Sequence, residues 1–384
     1  MLPLDGLLVV AVEQAVSAPH CTRQLADLGA RVVKVEGPTG DFARQYDEAV
    51  HGVAAHFAWA NRGKESVVLD LKSVRGRATL EQLLARADVL VQNLAPGAAE
   101  RLGIDAEAAS ARHPRLVAVD ISGYGTGGPR ASSRAYDLLV QAESGSCAIT
   151  GTPDTPAKPG IPFADVGTGM VAANAVLAAL LRRATTGAGA AIRIGMFDVM
   201  TDWMGWALNQ SRYTGVDPPR VGLSSPMVSP YGGYRTRDGH VIVLGTTNDG
   251  EWRRLASQVI GRADLAADAA YATNADRVRR RAELDEAIAA WAGDRTFAEA
   301  SASAEAAGIG WARYNTPAEV LDHAQLVERD RWVATASENG EFLSLRPAAD
   351  CGQWAWSPGS VPALGQHTES VLAELGLAED TPAQ

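Results

Sequence analysis

Cysteine, aromatic residues and runs of positive charge are scarce in this chain of 384 residues. Its three cysteines, Cys21, Cys147 and Cys351, are far apart and lack the spacing of a zinc site or a disulfide framework. We therefore expect no metal and a reducing, cytoplasmic location. The formal net charge is −10, and the only notable basic run is the short "RVRRR" at 277–281, so nucleic acid is not expected as a partner.

Long apolar runs are also missing. The longest, residues 170–181, is interrupted by Asn174 and is shorter than the roughly 20 residues that a membrane-spanning helix needs. Asp5 and Glu13 break the pattern of a signal peptide near the N-terminus. With 46% hydrophobic residues, the composition predicts a soluble protein with substantial cores and no membrane partner.

The glycine pattern of a dinucleotide-binding turn is absent as well. Where G-x-G-x-x-G is expected after the first strand, residues 13–22 read "EQAVSAPHCT", although Glu36 ends the second strand where a ribose-binding acid would lie. A serine-hydrolase G-x-S-x-G is also missing, and "ESGSC" at 143–147 resembles it only loosely. Nicotinamide, flavin and serine-hydrolase chemistries are therefore not favoured.

Strand and helix patterns alternate along the first half of the chain. "LLVVAVE", "RVVKVE", "DVLVQN" and "RLVAVDIS" are typical of buried strands, and "PHCTRQLADLGA", "VRGRATLEQLLARA" and residues 97–110 have helical spacing. This order predicts an α/β fold with a doubly wound, mostly parallel sheet. Ligands of such sheets bind at the carboxyl ends of the strands.

Composition divides the chain into domains. We expect residues 1–200 to form the first part of a large domain. Residues 201–225 are expected to be a linker, because the Pro-, Gly- and Ser-rich stretch "TGVDPPRVGLSSPMVSP" begins there, at residue 214. Residues 226–322, which open with a hairpin pattern around Asp238-Gly239, predict a small α+β domain. Residues 323–384 have no core of their own, so we expect them to return to the large domain.

Asp165 stands out because it precedes an almost wholly apolar helix, in "PFADVGTGMVAANAVLAALLRR" at 162–183. One interpretation is an N-cap or turn aspartate that accepts backbone N–H bonds. The other is a nucleophile: Gly167 and Gly169 would leave backbone donors bare beside the carboxylate, and the positive helix end would keep it ionised. An accessible carboxylate can attack an activated acyl group.

Eight segments occur in order with the spacing of family III CoA-transferases of the CaiB/BaiF type, which this sequence resembles over nearly its whole length. They are "GARVVKVEGPTGDFAR", "ANRGKESVVLDLKS", "VQNLAPGAAERLGI", "SGYGTGGP", "YDLLVQAESG", "PFADVGTGM", "YGGYRTRDGHVIV" and "LGQHTESVLAELGL". The resemblance implies a Rossmann-like large domain built from both chain ends, a small domain, and an interlaced homodimer. It also implies that Asp165 is the nucleophile, forming an aspartyl anhydride and then an aspartyl-CoA thioester.

The resemblance further implies substrates and binding residues. CoA enters as part of the substrates, an acyl-CoA and a small carboxylic acid, with no tightly bound cofactor. The side chains implied to contact CoA are Val16, Ser17, Arg44, Asn61, Arg62, Lys64, Asn93 and Arg101. Those expected near the acyl group or the oxyanion are Tyr124, Tyr136, Gly145, Gly167 and Gly169.

Two other functions stay open at this point. The family includes α-methylacyl-CoA racemases, which pair the aspartate with a histidine just before the "D" of "YDLLV"; this chain has Tyr136 there, and a phenol is a poor base near neutral pH. The second alternative is a non-catalytic CoA-binding subunit of a hetero-oligomer. The presence of Asp165 favours a transferase over that subunit.

Overall fold

A computed structural model describes residues 1–349 and 351–377, which form two compact units. The first contains Met1–Ser146, Pro159–Gly205 and the chain from Val327 onward, and the second contains Cys147–Lys158 and Trp206–Leu326. The strands are β1 Leu8–Val12, β2 Arg31–Glu36, β3 Lys64–Val68, β4 Val89–Gln92, β5 Val117–Ser122, β6 Ala190–Gly195, β7 Tyr231–Arg235, β8 Val241–Gly245, β9 Gly310–Arg313, β10 Trp332–Ser337 and β11 Gly340–Leu345.

Helices are distributed along the whole chain. They are α1 Ser17–Asp27, α2 Ala55–Asn61, α3 Val74–Leu84, α4 Ala98–Leu102, α5 Ala106–Arg112, α6 Asp137–Glu143, α7 Ser146–Ile149, α8 Phe163–Thr186, α9 Met196–Trp203, α10 Gly205–Thr214, α11 Asp249–Arg254, α12 Ala263–Ala267, α13 Asn274–Arg279, α14 Arg281–Gly293, α15 Phe297–Ala306, α16 Pro317–Leu321, α17 Ala324–Val327 and α18 Thr368–Glu374.

The first unit is built on a parallel six-stranded sheet with the order β3-β2-β1-β4-β5-β6. The central strands β1, β4 and β5 are largely apolar on both faces, as a sheet covered on two sides requires, whereas β2 and β3 also bury Lys34, Glu36 and Lys64. In β1, Val9 and Ala11 join one core with α1 and α8, while Val10 and Val12 join the other core with α3 and α18. The predicted parallel α/β sheet is confirmed.

The sheet order places a switch point between β1 and β4. From β1 the chain runs outward through β2 and β3, and β4 then pairs with the other side of β1. All six carboxyl ends lie at one edge, and the connections from β1 and β4 leave in opposite directions. Residues that follow these two strands, Glu13–Ser17 and Asn93, therefore meet at a natural crevice.

Helix α8 packs closely on α1, because glycine occupies the contact. A Cβ atom on Gly169 would lie 2.6 Å from the carbonyl oxygen of Ser17 and 2.9 Å from Nδ1 of His20. A Cβ on Gly167 would enter the ring of Trp203. The two helices can thus approach to backbone contact, and this packing sets the position of the first turn of α8.

The length and composition of α8 would allow it to cross a membrane. This corrects the expectation that no segment is long enough, which followed from taking residues 170–181 alone. Ala172 and Val176 are buried in the core beside α1, and Arg183 pairs with Asp88 at 2.9 Å. We therefore interpret α8 as a core helix of the first unit.

The C-terminal segment belongs to the first unit. Strands β10 and β11 pair as an antiparallel hairpin. His367 and Thr368 accept the backbone N–H groups of Ser66 and Val68 through Nδ1 and Oγ1, and α18 buries Val371 against the sheet. The backbone N–H groups of the edge strand β3 are thus bound by side-chain acceptors, where a further strand would otherwise be needed to bind them.

The second unit has the antiparallel order β7-β8-β9, covered by helices from α11 to α15. The predicted hairpin is β7–β8. Residues 201–225 are not a linker throughout, because α9 and α10 continue to Thr214. Strands β3, β6 and β9 were not predicted from the sequence. β3 begins with the charged pair Lys64-Glu65, β6 contains Arg193 at an exposed position, and β9 has only four residues.

Candidate active site

Asp165 lies in the first turn of α8 and is partly exposed. It is not the N-cap, which is Pro162, and no strand precedes it. Asp137, the first residue of α6, receives the helix amides instead: its Oδ1 accepts Ala164 N at 3.0 Å and Asp165 N at 3.4 Å. A carboxylate from another helix therefore takes the donors that Asp165 was expected to use.

This arrangement changes the protonation of Asp165. Burial and the neighbouring charge of Asp137 raise the pKa of the Asp165 carboxyl to about 7, against a hydrogen bond from Ser17 that lowers it. The expectation that the helix end keeps this acid fully ionised is wrong, because Asp137 adds a like charge at the same amides. Asp165 is a basic carboxylate, divided between its two protonation states near neutral pH.

Ser17 is buried at the start of α1 and links Asp165 to the crevice beside β1 and β4. Asn93, just after β4, donates from Nδ2 to Ser17 Oγ at 3.4 Å and to Gln14 O at 2.8 Å. Its Oδ1 accepts Gln14 N at 2.8 Å. The amide of Asn93 is thus occupied by protein, and Ser17 faces the carboxylate rather than being free for CoA.

Aromatic side chains that the sequence analysis did not select lie near Asp165. The charge of Asp165 contributes to the raised pKa of Tyr46, which is largely exposed. Tyr46 contacts His56 edge-on at 6.1 Å between ring centroids, and His56 contacts Trp59 at 6.4 Å. These rings supply an apolar surface that an acyl chain can cover.

His20 extends this group of rings from α1, since its ring lies 5.2 Å from that of Trp59. Burial, Arg23 and Lys64 lower the pKa of His20 to about 4, so its imidazole is neutral at pH 7. The one sequence signal for these aromatics is the "GDFAR" segment that precedes Tyr46. Spacing alone does not distinguish an aromatic at a site from one in a core.

Asn61 and Lys64, which were predicted to contact CoA, are paired with each other and with other groups inside the protein, and their contact with CoA stays a prediction. Both are buried, and Lys64 Nζ donates to Glu13 Oε1 at 2.7 Å, to Pro19 O at 2.9 Å and to Asn61 Oδ1 at 3.0 Å. Burial lowers the pKa of Lys64 to about 8, while Lys64 and Lys34 hold the pKa of Glu13 below its usual value despite its own burial. These groups form an internal ion cluster.

Arg62 and Arg44 also have partners inside the first unit, and their contacts with CoA stay predictions. Arg62 pairs with Asp27 at 2.9 Å and donates to Leu345 O at 2.6 Å. Arg44 pairs with Glu36 at 2.8 Å. The motifs that resemble nucleotide contacts here hold the connections after β2 and α2 in place.

The remaining predicted contacts differ in accessibility. Val16 is buried as the N-cap of α1. Arg101 is exposed in the last turn of α4, and no side chain in the described part of the chain binds its guanidinium. Tyr136 is exposed beside Asp137, and the Tyr124 hydroxyl donates to Glu143 at 2.7 Å. Arg101 and the two tyrosines stay predictions as ligand contacts.

The three glycines expected to supply oxyanion donors have other roles. Gly167 and Gly169 are inside α8 and face Trp203 and α1, so their amides belong to the helix rather than to an open approach. Gly145 has a φ of +86°, and its N–H donates to Ala142 O at 3.3 Å. The structure contradicts their assignment as bare donors.

Known proteins are similar to this chain over most of its length. The CoA-transferase family III pattern matches residues 4–368. The chain is similar to a succinate–glutarate CoA-transferase from Agrobacterium fabrum, with 33% identity over 99% of this chain and 97% of that protein. It is also similar to an acetyl-CoA:oxalate CoA-transferase from Acetobacter aceti, with 37% identity over 74% of each chain.

A solved structure shows the same fold. The crystal structure of a CAIB/BAIF family protein from Brucella suis superposes with a TM-score of 0.83 and 32% identity, covering 97% of this chain and 99% of that one. At this identity and coverage, the likeness extends through both units.

Replacing Arg62 and Arg101 separates the buried cation from the exposed one. Arg62→Met leaves the carboxylate of Asp27 with only Arg23, whose Nε lies 3.8 Å away, and should lower the free energy of unfolding by about 3 kcal/mol, with the Kd for CoA within about twofold of wild type. Arg101→Met should leave the unfolding midpoint unchanged and raise the Kd for CoA about tenfold by removing a charged donor. Urea denaturation and calorimetric titration measure both; a large CoA effect from Arg62→Met would contradict this assignment.

Proposed function

Because this chain belongs to CoA-transferase family III, we propose that Asp165 is the nucleophile that carries CoA from an acyl-CoA to a free carboxylic acid. The observation that supports this most is the position of Asp165. Its carboxylate is partly exposed at the first turn of α8, bonded to Ser17 and raised in pKa to about 7. A carboxylate of this basicity is a better nucleophile than an ordinary surface aspartate.

The donor half-reaction has two steps. An oxygen of Asp165 attacks the thioester carbonyl, the C–S bond breaks, and an aspartyl–acyl anhydride and CoA thiolate form. The thiolate then attacks the aspartyl carbonyl of the anhydride, and the donor acid leaves as its carboxylate. CoA is now bound to Asp165 as a thioester, with no net change in proton count.

The acceptor half-reaction reverses these steps with a new acid. The acceptor carboxylate attacks the aspartyl thioester and expels CoA thiolate, which forms a second anhydride. Attack of the thiolate on the acceptor carbonyl gives the new acyl-CoA and restores the Asp165 carboxylate. One thioester is exchanged for another, so the chemistry itself requires no external energy source.

The acceptor that we propose is a small dicarboxylic acid. Support comes from the names of the similar proteins, which act on succinate and glutarate or on oxalate. The second carboxylate of such an acid needs a cationic partner, and Arg101 and Arg134 are exposed arginines of the first unit. A panel of mono- and dicarboxylic acceptors with succinyl-CoA and acetyl-CoA as donors identifies the pair.

Trapping the intermediate tests the nucleophile. After incubation with acyl-CoA, hydroxylamine should convert Asp165 to its hydroxamate and borohydride should reduce it to the alcohol, both detected by mass spectrometry of the peptide that contains it. Asp165→Ala should lower transfer by at least about a thousandfold, while CoA still binds.

The same experiment separates an enzyme from a binding subunit. A protein that only binds CoA would show no modified peptide at any donor concentration. Asp165→Asn, which keeps the shape and polarity of the side chain, serves as the matched control for folding. Residual turnover in both variants would place the nucleophile elsewhere.

The pH dependence of transfer follows from the pKa of Asp165. Only the ionised carboxylate attacks, so kcat/KM for the donor should rise with pH through about 7 and level off above it. Asp137→Asn removes the like charge and should move this acid limb about one unit lower. The substitution keeps an Oδ1 acceptor for Ala164 N, and Gln141 can rotate its amide to pair with the new side chain, since its Oε1 lacks a partner among the described residues.

Ser17→Ala is a control for which we expect a shift of the acid limb in the opposite direction. Ser17→Ala removes the hydrogen bond that lowers the pKa and should move the acid limb upward. A limb that moves in the same direction in both variants would contradict this account.

We also infer that the six-stranded sheet is Rossmann-like and that the protein is an interlaced homodimer. The sheet order supports the first statement. Large apolar side chains exposed on α6, α8 and α9 support the second: Leu138, Leu139, Met170, Leu181 and Trp203. A single chain leaves these groups in water, and a partner would cover them.

Light scattering after size-exclusion chromatography tests the dimer. The mass should be twice that of one chain and should persist on dilution, because interlaced subunits separate only by unfolding. A mass that falls to that of one chain at low concentration would contradict interlacing.

A further inference from the structure

Ala15 has a backbone conformation that is uncommon for a residue with a side chain. Its φ is +62°, in the left-handed region that glycine adopts freely and other L-residues adopt at a cost. It lies two residues before Ser17, in the connection from β1 to α1. Such a conformation persists where the surroundings hold it.

Asp41 holds this turn from the connection after β2. Its Oδ1 accepts Ala15 N at 3.1 Å and Ala43 N at 2.9 Å, and its Oδ2 pairs with Lys34 Nζ at 2.8 Å. Asp41 and Lys34 are both buried. Lys34 Nζ also lies 3.5 Å from Glu13 Oε1, so one ammonium binds both the residue that holds the turn and the residue that begins it.

Asn93 holds the other side of the turn. Its Oδ1 accepts Gln14 N, and its Nδ2 donates to Gln14 O and to Ser17 Oγ. The backbone from Gln14 to Ser17 thus has fixed contacts from the connections after β2 and after β4. The Ser17 carbonyl oxygen lies 2.6 Å from the place that a Cβ on Gly169 would take, one helical turn after Asp165, so this backbone determines where Ser17 lies beside the Asp165 carboxylate.

We propose that Asp41 is a positioning residue for the transfer reaction, which acts through Ala15 and Ser17 on the carboxylate of Asp165. This inference rests on the proposed role of Asp165 as nucleophile. It also gives the "GD" pair at 40–41 a function distinct from ligand binding.

Other ionisable groups face Asp165 and remain in place when Asp41 is changed. They are Asp137 from α6 and the phenol of Tyr46, with Tyr136 near Tyr46 and His20 on the next turn of α1. Because these groups are common to every variant below, differences between the variants report on Asp41.

Two double variants separate the role of Asp41 as a hydrogen-bond acceptor for Ala15 N from the role of its charge. In a Lys34→Met background no unpaired ammonium is left, so Asp41→Asn retains an Oδ1 acceptor for Ala15 N, and Asp41→Leu removes it at similar size. The titration of Asp165 is followed by NMR with carbonyl-labelled aspartate and assigned with Asp165→Asn, and kcat is measured alongside.

We expect Asp41→Leu in this background to move the Asp165 titration upward by about one pH unit and to lower kcat at pH 7 about fivefold, because the Ser17 hydrogen bond is lost and a smaller fraction of Asp165 is ionised. Asp41→Asn in the same background should titrate as wild type and keep kcat within about threefold. Adding Ser17→Ala to the leucine variant should produce no further shift.

Asp88→Ala is the matched control, because Asp88 has the same contacts at the opposite end of β1. It accepts Leu8 N at 2.9 Å and pairs with Arg183 at 2.9 Å. This variant should lower the unfolding midpoint and leave the Asp165 titration unchanged. Equal titrations of the two double variants, or an equal shift from Asp88→Ala, would overturn the positioning role.

The outcomes separate this inference from the proposed function. Turnover retained by Asp165→Ala would refute the nucleophile, and the positioning role for the reaction would fall with it. If turnover requires Asp165 and the two double variants titrate alike, only the role of Asp41 is refuted.

Discussion

The close approach of α8 to α1 is the constraint on which the site depends. Gly169 lets the two helices meet at backbone distance, and this contact brings the first turn of α8 to the start of α1. Asp165 and Ser17 are then neighbours at the carboxyl edge of the sheet. A side chain at position 169 would have to displace Ser17 or His20, so the glycine acts on the site through packing and not through an exposed amide.

The second requirement is a carboxylate that is basic without being inaccessible. Asp137 meets it by accepting the N-terminal amides of α8, so the helix end stabilises Asp137 and the remaining like charge raises the pKa of Asp165. Ser17 opposes this shift with one hydrogen bond. Burial, Asp137 on α6 and Ser17 on α1 together determine how much nucleophile is present at neutral pH.

Many of the charged side chains in the sequence motifs are paired with other charges inside the first unit. Lys34, Lys64 and Glu13 lie beneath the edge of the sheet with their charges paired, and Arg62 and Arg44 are committed to other carboxylates. Buried ion pairs add little net stability, but breaking one leaves an uncompensated charge, so such a cluster restricts the connections around it to one arrangement. The aromatic surface of Tyr46, His56 and Trp59 lies outside this cluster and was not predicted.

The parallel α/β sheet and the candidate Asp165 could be predicted from the sequence, because continuous β-branched runs and a carboxylate before an apolar helix are local signals. The sequence did not determine whether a charged side chain such as Lys64 points to solvent or to Glu13, since composition is the same in both cases. It also did not reveal that Asp137, 28 residues earlier, caps α8. Only the tertiary structure decided these points, because burial and charge neighbours depend on which distant segments pack together.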